Sequence, residues 1–250
     1  MSTEAEPTKL LVEEFARRVR GELVPLGKRF SYFSALPVAE EDLKQYLNDP
    51  LAAVSPAVTE LLPSIGILLA PFLEKGNGKN AEYITYERPA VGRRLYSVLL
   101  QVEDMTVLTL SVKEIEVADY HYQLYAALAV LTARRLPLEV QERFYCTLRE
   151  ELNAEVHGEV DEKSWHMKQA LLRRDTNIRK ETKPFRDYVR QSLIDTLTLY
   201  LHGICCDIDV ETGPRQLPSR HMRKRLNLLY SLYPPPENYA VFPEHQEPSQ

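Results

Sequence analysis

One stretch decides the predicted fold: residues 184–204, which read PFRDYVRQSLIDTLTLYLHGI. Proline suits the first turn of a helix, and apolar residues follow it at intervals of three and four. Polar side chains become sparse after Arg190, so more than one face of this helix is apolar. Helices of that kind are buried on most sides. The sequence therefore predicts a central buried helix over about residues 184–206.

Strand-like patterns are confined to about residues 81–112. Three runs, 81–87, 94–102 and 105–112, are strand-like, and side chains alternate along the second. Glu103-Asp104 is the predicted tight turn between the last two. The apolar run before them, up to Leu73, is assigned to a helix interrupted at Pro63. The predicted fold class is therefore α+β, mainly α: a helical domain that carries a small three-stranded antiparallel meander.

Composition indicates an ordinary globular protein. The chain has 250 residues, of which 44% are hydrophobic and 27% charged, and its net charge is -5. No linker divides it, so residues 1–232 are predicted to form a single domain, followed by a proline-rich extended tail at 233–250. The longest apolar run is shorter than the roughly 20 residues that a membrane span needs. With no secretory signal at the N-terminus, the expected location is the cytoplasm.

A candidate metal site lies at the end of the long helix. On a helix, His202 shares a face with Cys205 and Cys206, three and four residues later, and this spacing is compatible with zinc. The alternative is that both cysteines are small buried hydrophobic residues. A metal-dependent enzyme with zinc at this site is one hypothesis for the function.

A second zinc pattern is incomplete. The residues from His121 to Tyr125 resemble the H-E-x-x-H motif of zinc metallopeptidases only in the first histidine. Tyr122 stands where the glutamate base would be, and Tyr125 stands where the second histidine would be. The resemblance implies at most a degenerate zinc-hydrolase-like site, so no family is assigned from it.

Basic residues cluster late in the chain. The residues that form the candidate nucleic-acid or anion site are Arg173, Arg174, Arg220, Arg223 and Lys224. Three of them share one face of the last predicted helix, at three- and four-residue spacing. Contacts to phosphate need no special motif, so a solvated helix surface has the same pattern. Nucleic-acid binding is thus a further hypothesis.

The leading hypothesis is a non-catalytic intracellular protein that acts by interaction or regulation. The chain lacks the phosphate-binding loop, the dinucleotide fingerprint and the serine-hydrolase elbow. It has several amphipathic helices and an apolar tail, which favour contact with a protein partner or with a second copy of the chain. Whether the protein is an enzyme, and which partner it binds, do not follow from the sequence.

Overall fold

The computed structural model describes residues 9–78, 81–173, 180, 182–206 and 217–242. The chain divides into two compact units. Met1–Pro50 and Leu62–Ala127 form one, here called the sheet unit, and Leu51–Leu61 and Leu128–Gln250 form the other, the helical unit. That the two units behave as a single domain stays a prediction.

The sheet unit contains a five-stranded mixed sheet in the order β2-β3-β4-β9-β8. Its strands are β2 (Val24–Pro25), β3 (Phe30–Ser34), β4 (Ile65–Ala70), β8 (Ser97–Val102) and β9 (Met105–Ser111). The strands β3, β4 and β9 run parallel, whereas β8 is antiparallel to β9. All six residues of β4 are buried. A strand buried on both faces reads as a continuous apolar run, which is why β4 shows no alternation.

A second sheet has four antiparallel strands in the order β1-β6-β5-β7. Its strands are β1 (Lys9–Leu11), β5 (Phe72–Lys75), β6 (Glu82–Thr85) and β7 (Arg94–Leu95). Helix α1 (Val12–Val19) buries Val12, Phe15, Ala16 and Val19 in a core that includes residues of both sheets. Short helical segments follow: a 3-10 turn at Arg20–Glu22, α2 (Glu40–Leu43), a π-helical turn at Lys44–Asn48 and α3 (Asp49–Ala52).

The helical unit consists of packed helices. After α4 (Pro56–Leu61) come α5 (Val117–Ala133), which begins in the sheet unit, and then α6 (Leu138–Asn153), α7 (Glu162–Leu172), α8 (Lys183–Cys205) and α9 (Ser219–Leu232). Helix α8 contacts α6, α7 and α9. It begins at a threonine cap, where the hydroxyl of Thr182 accepts a hydrogen bond from the Phe185 amide, and Pro184 occupies its first turn.

The predicted long buried helix is present as α8, but the predicted fold class is wrong. The protein is mixed α/β, with 52% helix, 18% strand and two sheets. The β8–β9 hairpin forms as predicted, with Val102 opposite Met105 across the Glu103-Asp104 turn. The third predicted strand corresponds to β6, which pairs with β1 and β5 in the other sheet, so there is no three-stranded meander at 81–112.

The main error lies in residues 65–73. The Ser55-Pro56 cap and apolar residues that cover more than one helical face predict a helix through this run, yet Ile65–Ala70 is a strand between two parallel neighbours. Periodicity does not separate a buried helix from a buried parallel strand. The length of the run between Pro63 and Pro71 was the better guide to its secondary structure, because strands are usually four to eight residues long.

The proline-rich segment after α9 is packed over its first part. Tyr233, Val241 and Phe242 are buried, and the hydroxyl of Tyr200 in α8 donates a hydrogen bond to the Tyr233 carbonyl over 2.6 Å. Residues 243–250 of the predicted tail lie outside the described residues. Within the described part of the chain, every helix is too short or too polar to cross a membrane.

Candidate functional site

The helical unit contains a buried cluster of charged side chains around Arg225 of α9. The guanidinium Nε lies 3.1 Å from both carboxylate oxygens of Glu151, on α6. Its Nη1 donates to Oε2 of Glu159 over 2.8 Å, and its Nη2 donates to Oε1 over 3.0 Å. A fork of donors facing two carboxylates is the geometry that arginine supports best. Arg225 therefore joins α6 to the loop that follows it.

Three further side chains complete what we call the Arg225 cluster, which comprises Glu151, Glu159, Lys168, Tyr188, Ser192 and Arg225. Lys168 of α7 donates to the Gly158 carbonyl over 2.9 Å and lies 3.6 Å from Oε1 of Glu159. From α8, the Tyr188 hydroxyl donates to Glu159, and the Ser192 hydroxyl donates to Oε2 of Glu159 over 3.1 Å. Side chains from three helices, α7, α8 and α9, thus meet on Glu159.

The loop after α6 places Glu159 by its backbone conformation. Glu155 has a φ of 52° and Gly158 a φ of 83°, so the chain turns through the left-handed region twice within four residues. Asp161 then caps α7 by accepting a hydrogen bond from the Lys163 amide over 3.1 Å. These turns direct Glu159 and the Gly158 carbonyl towards Arg225 and Lys168.

The charges of the Arg225 cluster compensate one another. Burial alone would raise the pKa of Glu159, but Arg225 and Lys168 outweigh it and lower that pKa to about 2. Burial lowers the pKa of Lys168, and Glu159 opposes this effect. Because two carboxylates face two cations and every oxygen of Glu159 accepts hydrogen bonds, this arrangement suits structural stabilisation better than proton transfer.

Asp195 of α8 is a buried carboxyl without a cationic partner in the described part of the chain. It is 7% exposed, and its Oδ1 accepts a hydrogen bond from Gln191 over 2.6 Å. Its Oδ2 has no hydrogen-bond partner among the described residues. Burial raises the pKa of Asp195 to about 6, although hydrogen bonds from Ser164 and Gln191 oppose that rise.

The three predicted metal residues belong to the C-terminal end of α8. His202 is buried in its last turn, Cys205 is its final residue and Cys206 is its C-cap. The Sγ atoms of the two cysteines lie within 4.8 Å of each other, and their thiols are hydrogen-bonded. That hydrogen bond, together with burial, raises the pKa of Cys206 above its usual range. That His202, Cys205 and Cys206 bind zinc stays a prediction.

The predicted basic residues make several contacts within the protein. Lys224 pairs with Glu150 at 2.5 Å, and the Arg223 guanidinium carbon lies 3.5 Å from the centre of the Phe242 ring. Arg220 is exposed on the same helix, and its Nε donates to His221 over 3.0 Å. Arg173 is exposed, while Arg174 lies outside the described residues. Nucleic-acid binding by these residues stays a prediction.

Sequence reasoning missed the role of Arg225, the residue that directly follows the predicted basic residues Arg223 and Lys224. The signal for its burial was the position of Arg225 on the helix. Met222, Leu226 and Leu229 are three residues before, one after and four after Arg225, and all are buried. Glu151 of α6 follows the same rule, because Phe144, Leu148 and Leu152 belong to one apolar stripe. A charged residue inside an apolar stripe predicts a buried charge that is paired with an opposite charge.

The sheet unit presents a different feature, an exposed surface formed by residues 86–96. Six large apolar or aromatic side chains are exposed in the described part of the chain, and Tyr86, Val91 and Tyr96 are three of them. Val91 is fully exposed, at the tip of a turn closed by the Arg93 amide, which donates to the Ala90 carbonyl over 3.1 Å. Gly92, the third residue of this turn, has a φ of 81°, the positive value that a type II turn requires at that position.

The base of this turn is fixed by arginine. Arg93 donates to the Lys75 carbonyl over 3.1 Å and lies 3.2 Å from a carboxylate oxygen of Glu74, which is buried on β5. Arg94 donates to the carbonyls of Lys113 and Glu114 over 2.6 and 2.7 Å. Its guanidinium carbon also lies 4.8 Å from the centre of the Tyr96 ring. The turn is therefore held in one conformation at its base while its tip is exposed.

Comparison of the chain with protein-family models, curated proteins and solved structures found no match.

Proposed function

We propose that the protein acts by binding a protein partner rather than by catalysis, and that residues 86–96 form part of the contact surface. The observation that carries this proposal is the fully exposed Val91 on a turn fixed at its base. Tyrosine and arginine, the residues that surround it, are enriched in protein interfaces. The partner is a protein, either a different chain or a second copy of this one.

The fixed turn supports binding on energetic grounds. A loop that is already ordered loses little conformational entropy when a partner covers it. The bonds from Arg93 and Arg94 to backbone carbonyls supply that order without using Val91 or the Tyr96 ring edge. Tyr86 is fixed in a similar way, since its hydroxyl donates to the Ala35 carbonyl over 2.8 Å. Its ring remains half exposed.

The Arg225 cluster supports the non-catalytic part of the proposal. Its two glutamates and two cations are paired with one another in the interior of the helical unit. A general acid or base needs a pKa near the working pH and contact with a substrate. The pKa of Glu159, at about 2, is far from that range.

Site-specific photocrosslinking tests the proposal. A photoreactive amino acid replaces Val91 in the full chain, and the protein is irradiated in its native cells. We expect one discrete adduct with another chain, identified by mass spectrometry. Leu138 is the matched control position, because it is also apolar and strongly exposed but lies in the helical unit.

The affinity of the crosslinked partner then decides whether Val91 contributes to binding. We expect Val91→Asp to weaken binding by about tenfold or more, since a central apolar contact contributes more than about 1 kcal/mol. The same change at Leu138 is expected to leave affinity unchanged. The proposal fails if position 91 yields no adduct, or if both positions yield the same set of adducts.

A further inference from the structure

The two adjacent cysteines at the end of α8 have a geometry that neither the buried charges nor the 86–96 surface explains. Cys205 is the last helical residue, and Cys206 has extended backbone angles, with φ of -116° and ψ of 138°. The Cys206 amide still donates to the His202 carbonyl over 2.9 Å, which holds the residue against the helix. The backbone changes direction between the two residues, and their sulfur atoms nevertheless lie within 4.8 Å of each other.

This separation is close to what a shared metal ion requires. Zinc–sulfur bonds of about 2.3 Å in tetrahedral geometry place two sulfurs about 3.8 Å apart. The two sulfurs already lie within 4.8 Å of each other, so only a small adjustment is needed. Neither cysteine forms a disulfide within the described part of the chain, and both are half-buried, which leaves them accessible to an ion from solvent.

The end of the helix adds an electrostatic contribution. The last carbonyl groups of a helix carry partial negative charge, which favours a cation near them. Cys205 and Cys206 stand at that end of α8, a helix of 23 residues. Cys146, the third cysteine, lies within α6 and is exposed without a second cysteine beside it in sequence.

We propose that Cys205 and Cys206 form a binding site for a soft, thiophilic metal ion, with both sulfurs as ligands. The ion replaces the two thiol protons, which pass to solvent, and the bonds formed are two metal–thiolate bonds. No oxidation is involved. Zinc is a biological ion that accepts thiolate ligands in tetrahedral geometry, with water in the two positions that the cysteines do not occupy.

Titration of the reduced full chain with Co²⁺ tests this site. Cobalt replaces zinc in tetrahedral thiolate sites and gives a thiolate-to-metal charge-transfer band. We expect the band to saturate at one equivalent and to disappear when Zn²⁺ is added. Loss of a residue that only orients a metal ligand lowers metal affinity by about 10-fold or more. Loss of a ligand itself should cost at least as much, so we expect Cys205→Ser and Cys206→Ser each to weaken Co²⁺ binding by at least that factor.

Cys146→Ser is the matched control and should leave the band and the affinity unchanged. A second measurement uses the wild-type protein and does not depend on the folding of any variant. Zn²⁺ should slow alkylation of Cys205 and Cys206, measured by peptide mass spectrometry, but not that of Cys146. The proposal is overturned if Co²⁺ gives no charge-transfer band, if the band survives both serine substitutions, or if Zn²⁺ protects all three cysteines equally.

Discussion

Both units bury glutamate side chains, but the partners of those glutamates differ in their exposure to solvent. In the helical unit, the side chains of Glu159 and Arg225 are both 0% exposed. In the sheet unit, the side chain of Glu74 is 5% exposed, whereas its partners Lys9 and Arg93 are 48% and 39% exposed. Water therefore reaches one side of the ion pairs of Glu74 and neither side of the Glu159 pair.

This difference determines what each ion pair contributes to stability. Removing one partner of a fully buried pair leaves the other charge without compensation in a medium of low polarity. Where the cations are solvated, water screens the interaction and replaces part of it when a partner is lost. The lesson is that burial of the carboxylate alone does not set the energetic consequence, because burial of its partner matters as much.

The largest expected effect comes from Arg225→Met, which leaves Glu151 and Glu159 buried without their shared cation. We expect the free energy of unfolding to fall by about 3–5 kcal/mol. Urea unfolding followed by the fluorescence of Trp165 measures this, because Trp165 is the only tryptophan and lies on α7 of the helical unit.

Lys224→Met is the matched control for Arg225→Met. Lys224 is the preceding residue on the same helix, and both it and its partner Glu150 are largely exposed. A surface pair of this kind contributes at most about 1 kcal/mol. Equal losses in the two variants would show that the Arg225 cluster does not stabilise the fold through buried charge compensation.

The sequence predicted the long helix α8 and the β8–β9 hairpin, but it did not predict the parallel strands or the two sheets. The strand-like runs that contain Ser97–Val102 and Met105–Ser111, with the Glu103-Asp104 turn between them, were sufficient to identify a hairpin, because the two strands are adjacent in sequence. The pairing of Phe30 with Ile65 and of Ile65 with Thr106 was not predictable in this way. Parallel strands pair across long connections, so no local pattern specifies their partners.

The site was predictable only in part, for a related reason. The closeness of the Cys205 and Cys206 thiols was predictable because the two residues are neighbours in the chain. The Arg225 cluster assembles residues from α6, its following loop, α7, α8 and α9, and only folding brings these segments together. Burial of Arg225 was readable from its apolar helix face, but the identity of its two carboxylate partners was not.

An intermediate effect is expected for Asp195, which is buried and whose Oδ2 has no hydrogen-bond partner among the described residues. Its folded pKa of about 6 exceeds the usual value of 3.8, so folding favours the protonated form. Stability from this group is full below about pH 4 and falls as pH rises towards 6. Asp195→Asn should therefore raise the free energy of unfolding at pH 7 by about 1–2 kcal/mol and have little effect at pH 4.

Urea titrations of Asp195→Asn at several pH values provide the measurement, again followed by Trp165 fluorescence. Asp187→Asn is the control, because Asp187 is exposed on the same helix and should change stability by less than about 0.5 kcal/mol. Glu159 gives the opposite trend within the same unit. Its lowered pKa predicts stability that is lost as pH falls from about 4.5 towards 2. If Asp195→Asn destabilised the protein equally at both pH values, a hydrogen bond would outweigh the buried charge.

The smallest effect is expected for Glu74→Gln in the sheet unit. Lys9 and Arg93 remain solvated when the carboxylate is removed, so we expect a loss of about 1 kcal/mol. Far-UV circular dichroism during urea unfolding measures it, and the loss should shrink as salt is raised because ions screen the exposed cations. The control is Glu13→Gln, which removes an exposed pair with Arg17 and should cost less still. A loss at Glu74 as large as that of Arg225→Met, and insensitive to salt, would show that exposure of the partner does not decide the strength of these ion pairs.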